Sequence, residues 1–285
     1  MLSLDSPRWK ELRHAYGSAE HVPELIRAIA AESAPRYSDH PAKARNNPTP
    51  WDEVYSSLCH QCSAYSATYA AFPHIVAIAE RDGVAMRAET MMLAGTITIH
   101  NNPDNVPEDL ATDFEVAMAA VRKWSLTTVR EASLDYPGTL SHLLQAFGAL
   151  RFPASVYVRC LDRLYEGDWE VEIDYCPKCR NYILVEMGQE GPITMPVDSR
   201  GMPISESARR SVADRSQYAD RIARGAAILR QASDPDWAEI ETAAVLAALA
   251  NERGDSVLGT RLLDLDARVT CPHCGFAFVL ADAIA

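Results

Sequence analysis

Seven cysteines occur in this 285-residue chain, and six of them form three Cys-x-x-Cys pairs: Cys59 with Cys62, Cys176 with Cys179, and Cys271 with Cys274. Random placement would give about 0.15 such pairs. Two thiolates three residues apart in a tight turn can face one metal ion. The second and third pairs read Cys176-Pro-Lys-Cys179 and Cys271-Pro-His-Cys274-Gly275, each flanked by short alternating or apolar stretches. Proline preshapes such a turn, and Gly275, or Arg180-Asn181, lets the chain leave it. Two knuckles supply four thiolates, the closed tetrahedral set of a structural zinc ion. Cys176, Cys179, Cys271 and Cys274 are therefore expected to hold one Zn2+. A catalytic zinc would keep one position open. A redox dithiol is expected at a helix N-terminus within a βαβ pattern, which is absent here.

The knuckles are far apart in sequence, separated by Arg180 to Thr270. Closing a loop of that length costs about 4 kcal/mol of chain entropy. Structural zinc contributes on the order of 10–16 kcal/mol in small peptides, so the metal outweighs closure. The remaining pair, Cys59-His60-Gln61-Cys62, lacks proline and flanking strands and has no second pair to complete four ligands. It falls in a stretch expected to be helical, where its cysteines are small buried apolar side chains. Cys160 is expected in the core likewise.

The elements around these residues are mostly helical. Tyr65, Tyr69, Phe72 and Val76 recur at helical spacing, as do Leu110, Phe114, Ala117, Met118 and Val121, then Leu140, Leu143, Leu144, Phe147 and Leu150. Breakers separate them at 101–105, 135–138 and Phe152-Pro153, suggesting a period of roughly 40 residues. Residues 1–167 are expected to form a helical repeat region, an irregular α-solenoid whose span from Leu25 to Leu164 is almost wholly helical, in antiparallel pairs. From Asp168 the pattern changes. Glu170-Val-Glu-Ile-Asp174 alternates like a strand, and Tyr182 to Val185 is apolar. A segment holding Gly188, Gly191, Pro192, Pro196, Gly201 and Pro203 reads as a loop. Helices are expected from Ser205 to Gln231, from Pro235 to Asn251 with Asp234 as N-cap, and from Ser256 to Leu263. Residues 168–285 are thus a helical region carrying a split zinc ribbon, with strands confined largely to the two β-hairpin knuckles. The fold class is mainly α.

Lysine and arginine total 27 against 39 aspartates and glutamates, a net charge of −12 at pH 7. Such a surface repels phosphate backbones, so no nucleic-acid partner is expected. It favours encounter with a basic protein, although acidic charge also serves solubility. No apolar run approaches the roughly 20 residues that span a bilayer, and the first residues lack a secretory pattern. A cytoplasmic protein without a membrane partner is expected. There is no His-Glu-x-x-His, Gly-x-Ser-x-Gly, phosphate loop or dinucleotide fingerprint. His74 and His142 sit beside apolar residues and are expected as satisfied core histidines. An enzyme is not expected.

The segment from Trp51 to Val76 resembles a set of bacterial HEAT-like repeat proteins. The shared positions are Trp51, Leu58, His60, Gln61, Tyr65, Ala67, Thr68, Ala71 and Pro73, the last ending a first helical layer in that family. Where the family often has glycine after His-Gln, this chain has Cys62. Some members also carry Cys-Pro-x-Cys knuckles in their C-terminal half, and several look like immunity proteins beside bacterial toxins. The resemblance implies a solenoid that binds another macromolecule, with His60, Gln61, Tyr65 and His100 as candidate contacts on a concave face. The alternative to this partner-binding role is that the His60-Gln61 step bridges neighbouring helices. The functional expectation is an immunity protein that neutralises a toxin, with a basic toxin as the expected partner. The alternatives are a zinc-stabilised adaptor in a larger assembly and an enzyme with an unrecognised groove site.

Overall fold

The computed structural model describes every residue except 32–48, 61–62, 101–105, 135–138, 154, 164–169, 174, 199, 201, 232–234 and 285; side chains are not described at 162–163 and 170–173. Among the described residues there are eleven α-helices and several small antiparallel sheets. None of these helices is long and apolar enough to cross a membrane. Two compact units divide the chain: Met1–Tyr136 with Ala149–Arg151, and Pro137–Gly148 with Phe152–Ala285. The composition change expected at 167–168 falls on residues outside the described ones.

The first unit begins with a 3-10 turn at Pro7–Lys10 and a two-stranded ribbon, β1 (Arg13–His14) and β2 (Gly17–Ser18). Helix α1 spans Val22–Ala31 and α2 spans Pro50–Leu58. Thr49 caps α2 reciprocally with Asp52. The Thr49 amide donates to the carboxylate at 2.8 Å, and the Asp52 amide donates to the Thr49 hydroxyl at 3.2 Å. Pro50 follows at the first helical position, where its missing N–H costs nothing. Helix α2 stops at Leu58. Cys59–His60 form β3, which pairs with β4 (Ser63–Ala64), so Cys59 does not lie on a helix as expected. Cys59 is buried on that strand, while Gln61 and Cys62 lie outside the described residues.

Helices α3 (Ser66–Asp82), α4 (Val84–His100) and α5 (Glu108–Glu131) pack mutually. The link between α3 and α4 is the single Gly83, whose φ of +93° is open only to glycine at low cost. Two of the expected stripes meet here. Tyr69 and Phe72 pack on Phe114, with ring centroids 5.0 and 5.6 Å apart. Pro73 does not end a helical layer: α3 runs through it, held by the burial of Phe72, Ile75 and Val76 around it. His74 is the satisfied histidine expected, its Nε2 lying 2.7 Å from the Leu2 carbonyl.

The second unit contains most of α6 (Thr139–Arg151), with Leu140, Leu143, Leu144 and Phe147 buried as expected. Helix α7 spans Val156–Arg163 and includes the buried Cys160. A four-stranded sheet follows: β5 (Glu170–Ile173), β6 (Ile183–Met187), β7 (Pro192–Pro196) and β8 (Arg209–Arg210), antiparallel throughout and paired in that order. Strands are therefore not confined to the knuckles. The segment expected as a loop contains β7, a central strand with proline at each end. The Pro192 carbonyl accepts from the Ser211 amide and the Pro196 carbonyl from the Ile204 amide. Both prolines therefore point their absent N–H away from β6, and the β6–β7 ladder is intact.

The expected helix from Ser205 to Gln231 is broken. It comprises a 3-10 turn at Ser205–Ser207, β8, and helix α8 at Tyr218–Leu229. The expected start at Pro235 is also displaced. Asp236 caps a 3-10 turn at Trp237–Glu239, α9 runs from Thr242 to Glu252, and Asp234 lies outside the described residues. Helix α9 is buried from Ala243 to Ala250 and packs on α8 and on α10 (Ser256–Asp264). Gly225 permits the α8 contact, because a Cβ there would stand 2.2 Å from the Ala244 carbonyl oxygen. Strands β9 (Arg268–Thr270) and β10 (Ala277–Val279) form the last hairpin, followed by α11 (Leu280–Ile284).

Candidate metal centre

Each Cys-Pro-x-Cys turn closes a β-hairpin, the first between β5 and β6 and the second between β9 and β10. Their backbones repeat the same bonds. The Cys176 amide donates to the Asn181 carbonyl at 2.8 Å, as Cys271 does to Phe276 at 2.8 Å. The Arg180 amide donates to the Cys176 carbonyl at 3.0 Å, as Gly275 does to Cys271 at 3.0 Å. The residue after the second cysteine is left-handed in both: φ is +61° at Arg180 and +70° at Gly275. The Lys178 amide points at the Cys176 sulfur, 3.4 Å away.

The hairpins bring all four Sγ atoms within 4.8 Å of one another. Cys176 lies 3.9 Å from Cys274, and Cys179 lies 3.7 Å from Cys271. These spacings are far longer than a disulfide, near 2.05 Å. Tetrahedral thiolates about 2.3 Å from one ion would stand about 3.8 Å apart. The four cysteines could thus hold a metal ion, and they are the one such grouping of histidine, cysteine or carboxylate groups among the described residues.

Electrostatics fits a cation between them. Burial raises the Cys176 thiol, but the amides of Cys179 and Lys178, with the Cys271 and Cys179 thiols, outweigh it and pull the value to about 7. Burial likewise pushes Cys271 up, and the amides of Cys274 and His273 do not offset it against the Cys176 and Cys274 sulfurs, leaving it at about 12. One thiol ionises readily and its neighbour resists, as close like charges require. A bound cation removes that conflict.

Contacts outside the knuckles keep the hairpins together. The buried Thr194 of β7 donates its hydroxyl to the Thr270 carbonyl at 2.6 Å, one residue before Cys271. His273 Nε2 lies 3.3 Å from the Tyr182 carbonyl, and the Lys178 ammonium sits 5.7 Å from the centre of the Phe276 ring. Behind β9, Asp264 is fully buried and takes both arms of Arg215, at 3.1 and 2.6 Å, and the Tyr218 hydroxyl at 2.9 Å. Asp266 accepts from Tyr157 and Arg221. None of Thr194, Arg215, Asp264 and Asp266 stood out in sequence. The signal available was Asp264-Leu-Asp266 directly ahead of the β9 alternation, two carboxylates where a core helix ends.

The other candidate residues lie in the first unit. His60 on β3 is half-buried, its Nδ1 3.3 Å from the Tyr16 hydroxyl. Tyr65 precedes α3, its hydroxyl 3.5 Å from the His60 carbonyl, and His100 ends α4. Thr68 explains part of the motif. Its hydroxyl donates to the Leu58 carbonyl at 2.5 Å and accepts from the Tyr65 amide at 3.0 Å, tying the end of α2 to the start of α3. Comparison with known proteins finds no matching family model, curated protein or solved structure.

Proposed function

We propose that this chain is a zinc-stabilised protein that acts by binding another macromolecule. The observation that carries the metal reading is the sulfur cluster, with spacings of 3.7 and 3.9 Å against the roughly 3.8 Å of a tetrahedral zinc thiolate. Cys176, Cys179, Cys271 and Cys274 would hold the ion and leave it no open position, so it would fasten the two hairpins as a split zinc ribbon rather than activate water. The purified chain should carry about one zinc, with four sulfur ligands near 2.3 Å by X-ray absorption. A metal-free chain with unchanged melting would refute this part.

The binding role is a separate inference, supported by the resemblance of Trp51 to Val76 to HEAT-like proteins and by the net charge of −12. In this reading the first unit is part of an irregular solenoid. The partner is a toxin of basic charge that the chain neutralises as an immunity protein. Opposite charge would steer association toward 10⁸–10⁹ M⁻¹s⁻¹ at low salt, against roughly 10⁵–10⁶ without steering. The test is co-expression with the protein encoded by the adjacent reading frame, followed by pull-down, rescue of growth, and on-rates between about 50 and 500 mM salt. No binding and no rescue would remove the immunity reading.

A further inference from the structure

Strand β8 is an edge of the four-stranded sheet, paired with β7 alone. Thr194 faces Arg209 and Ile193 faces Arg210 across that pair. The same register continues beyond it: the Ser211 amide donates to the Pro192 carbonyl at 2.9 Å and the Ala213 amide to the Glu190 carbonyl at 3.2 Å. Antiparallel ladders alternate bonded and non-bonded pairs. Residues 209, 211 and 213 therefore turn their peptide groups toward β7, and Arg210 and Val212 turn theirs outward.

The side chains on this edge are unusual for an acidic chain. Arg209 and Arg210 are exposed, and neither has a carboxylate or hydrogen-bond partner among the described residues. Both line an open cleft of about 640 Å³ with Ser205, Ala208, Thr270 and Gly275, beside the second knuckle. Apolar side chains are exposed on the same segment: Val212 at 81%, Met202 at 58% and Ile204 at 39%. Open backbone groups, unpaired cations and exposed apolar side chains together form a docking edge.

Charge decides what fits it. A second copy pairing edge to edge would set arginines against arginines, which is repulsive. A basic partner, attracted by the whole-chain charge, would be turned away locally. We propose that β8 takes an extended acidic segment of a protein partner as an added antiparallel strand. Arg210 and Val212 share a face of the strand, and Arg209 lies on the other. The matching segment therefore reads apolar, any residue, acidic, acidic, with the apolar residue opposite Val212 and the two carboxylates opposite Arg210 and Arg209. This surface is independent of the toxin reading and stands or falls without it.

The probe is a fluorescent dodecapeptide of three Val-Thr-Glu-Glu repeats, titrated onto the full-length, zinc-loaded chain. Three comparisons accompany it: the Val-Thr-Lys-Lys peptide, a Pro-Thr-Glu-Glu peptide whose prolines fall opposite Val212 and so cannot donate a full ladder, and a twelve-nucleotide oligo-dT. The Glu peptide should bind, weaken as salt rises, and lose roughly tenfold in affinity with R209E/R210E. The Lys and Pro peptides should bind more weakly. Because both arginine side chains are exposed and unpartnered, the double variant should keep the parent's circular dichroism and zinc content. Unchanged affinity in R209E/R210E overturns the proposal, as does equal binding of the Pro peptide, which would reduce the edge to mere charge. Oligo-dT binding that depends on the same arginines, without peptide binding, assigns the cleft to nucleic acid instead. A dimer in sedimentation that R209E/R210E abolishes would assign it to a second copy.

Discussion

The two units hold themselves together by different means. In the first, neighbours in sequence are neighbours in space: α3, α4 and α5 follow one another and bury Tyr69, Phe72 and Phe114 against each other. Its ion pairs are largely solvent-exposed, where such pairs contribute little, and burial of one carboxylate, Glu89, works against it. In the second unit, Cys179 and Cys271 are 92 residues apart and nearly touch. The buried Asp264, paired with the partly exposed Arg215, and a threonine hydroxyl fix the strands beside them. Local apolar packing needs no cofactor. Long-range closure by polar groups gains little by itself, because each such group exchanges good hydration for a bond of similar worth.

If Cys176, Cys179, Cys271 and Cys274 hold zinc as proposed, its removal should distinguish the units most sharply. Chelation, or Cys271→Ser, should unfold the sheet region while much of the helical signal of the first unit survives. Hydrogen exchange should show protection lost across β6, β7, β9 and β10 and kept in α3 to α5. Uniform loss would mean that the first unit leans on the second. Next in size is Arg215→Ala, which leaves the fully buried Asp264 carboxylate without its cation. Denaturant unfolding should record a loss of about 3 kcal/mol, confined to the second unit.

The third prediction concerns Glu89 on α4. Burial drives its carboxyl up to about 8, the Trp51 indole opposing and Asp52 reinforcing. The indole's geometry is too poor for a full bond, since Trp51 Nε1 and Glu89 Oε2 are both buried without a well-formed partner. With the folded value above the unfolded 4.5, the folded state binds the extra proton between them. Stability should therefore fall as pH rises from about 4.5 to about 8 and level off above, the fall being on the order of 2–4 kcal/mol. Glu89→Gln should flatten that slope, stabilising at pH 8 and changing little at pH 4.5. Melting curves of both proteins across that range check it. The smallest effect compares the knuckles. Arg180 adopts a left-handed conformation that Gly275 adopts freely, so Arg180→Gly should stabilise by about 1 kcal/mol in denaturant unfolding. No gain would mean that the arginine side chain compensates for its backbone.

The four-cysteine cluster was legible because it depends on residue type and spacing, and a Cys-Pro-x-Cys turn carries its own geometry. The helical stripes of α3, α5 and α6 were legible because their packing follows their periodicity. Three features were hidden, each because a long-range contact overrode a local signal. Prolines at 192 and 196 argue against a central strand until the facing of their missing N–H groups is known. The stretch from Val54 to Tyr65 looks continuously helical, yet Thr68 draws the Leu58 carbonyl into a side-chain bond and the chain turns at Cys59. The arginines and aspartates of 205–231 and 264–266 look like ordinary solvated charges. Only the fold pairs Arg215 with Asp264 and leaves the Arg209 and Arg210 side chains without partners among the described residues.

The separation of the knuckles also sets an order in time. A ribosome adding about 5–20 residues per second needs roughly 5–18 s to go from Cys179 to Cys271. During that interval Cys176 and Cys179 form a half-site with two thiols and no partner knuckle. Nascent chains are therefore most open to oxidation or to capture of an unsuitable metal at this stage, before the last hairpin can bring Cys271 and Cys274 alongside. The finished site is protected by its geometry, whereas the half-made one depends on how quickly the rest of the chain arrives.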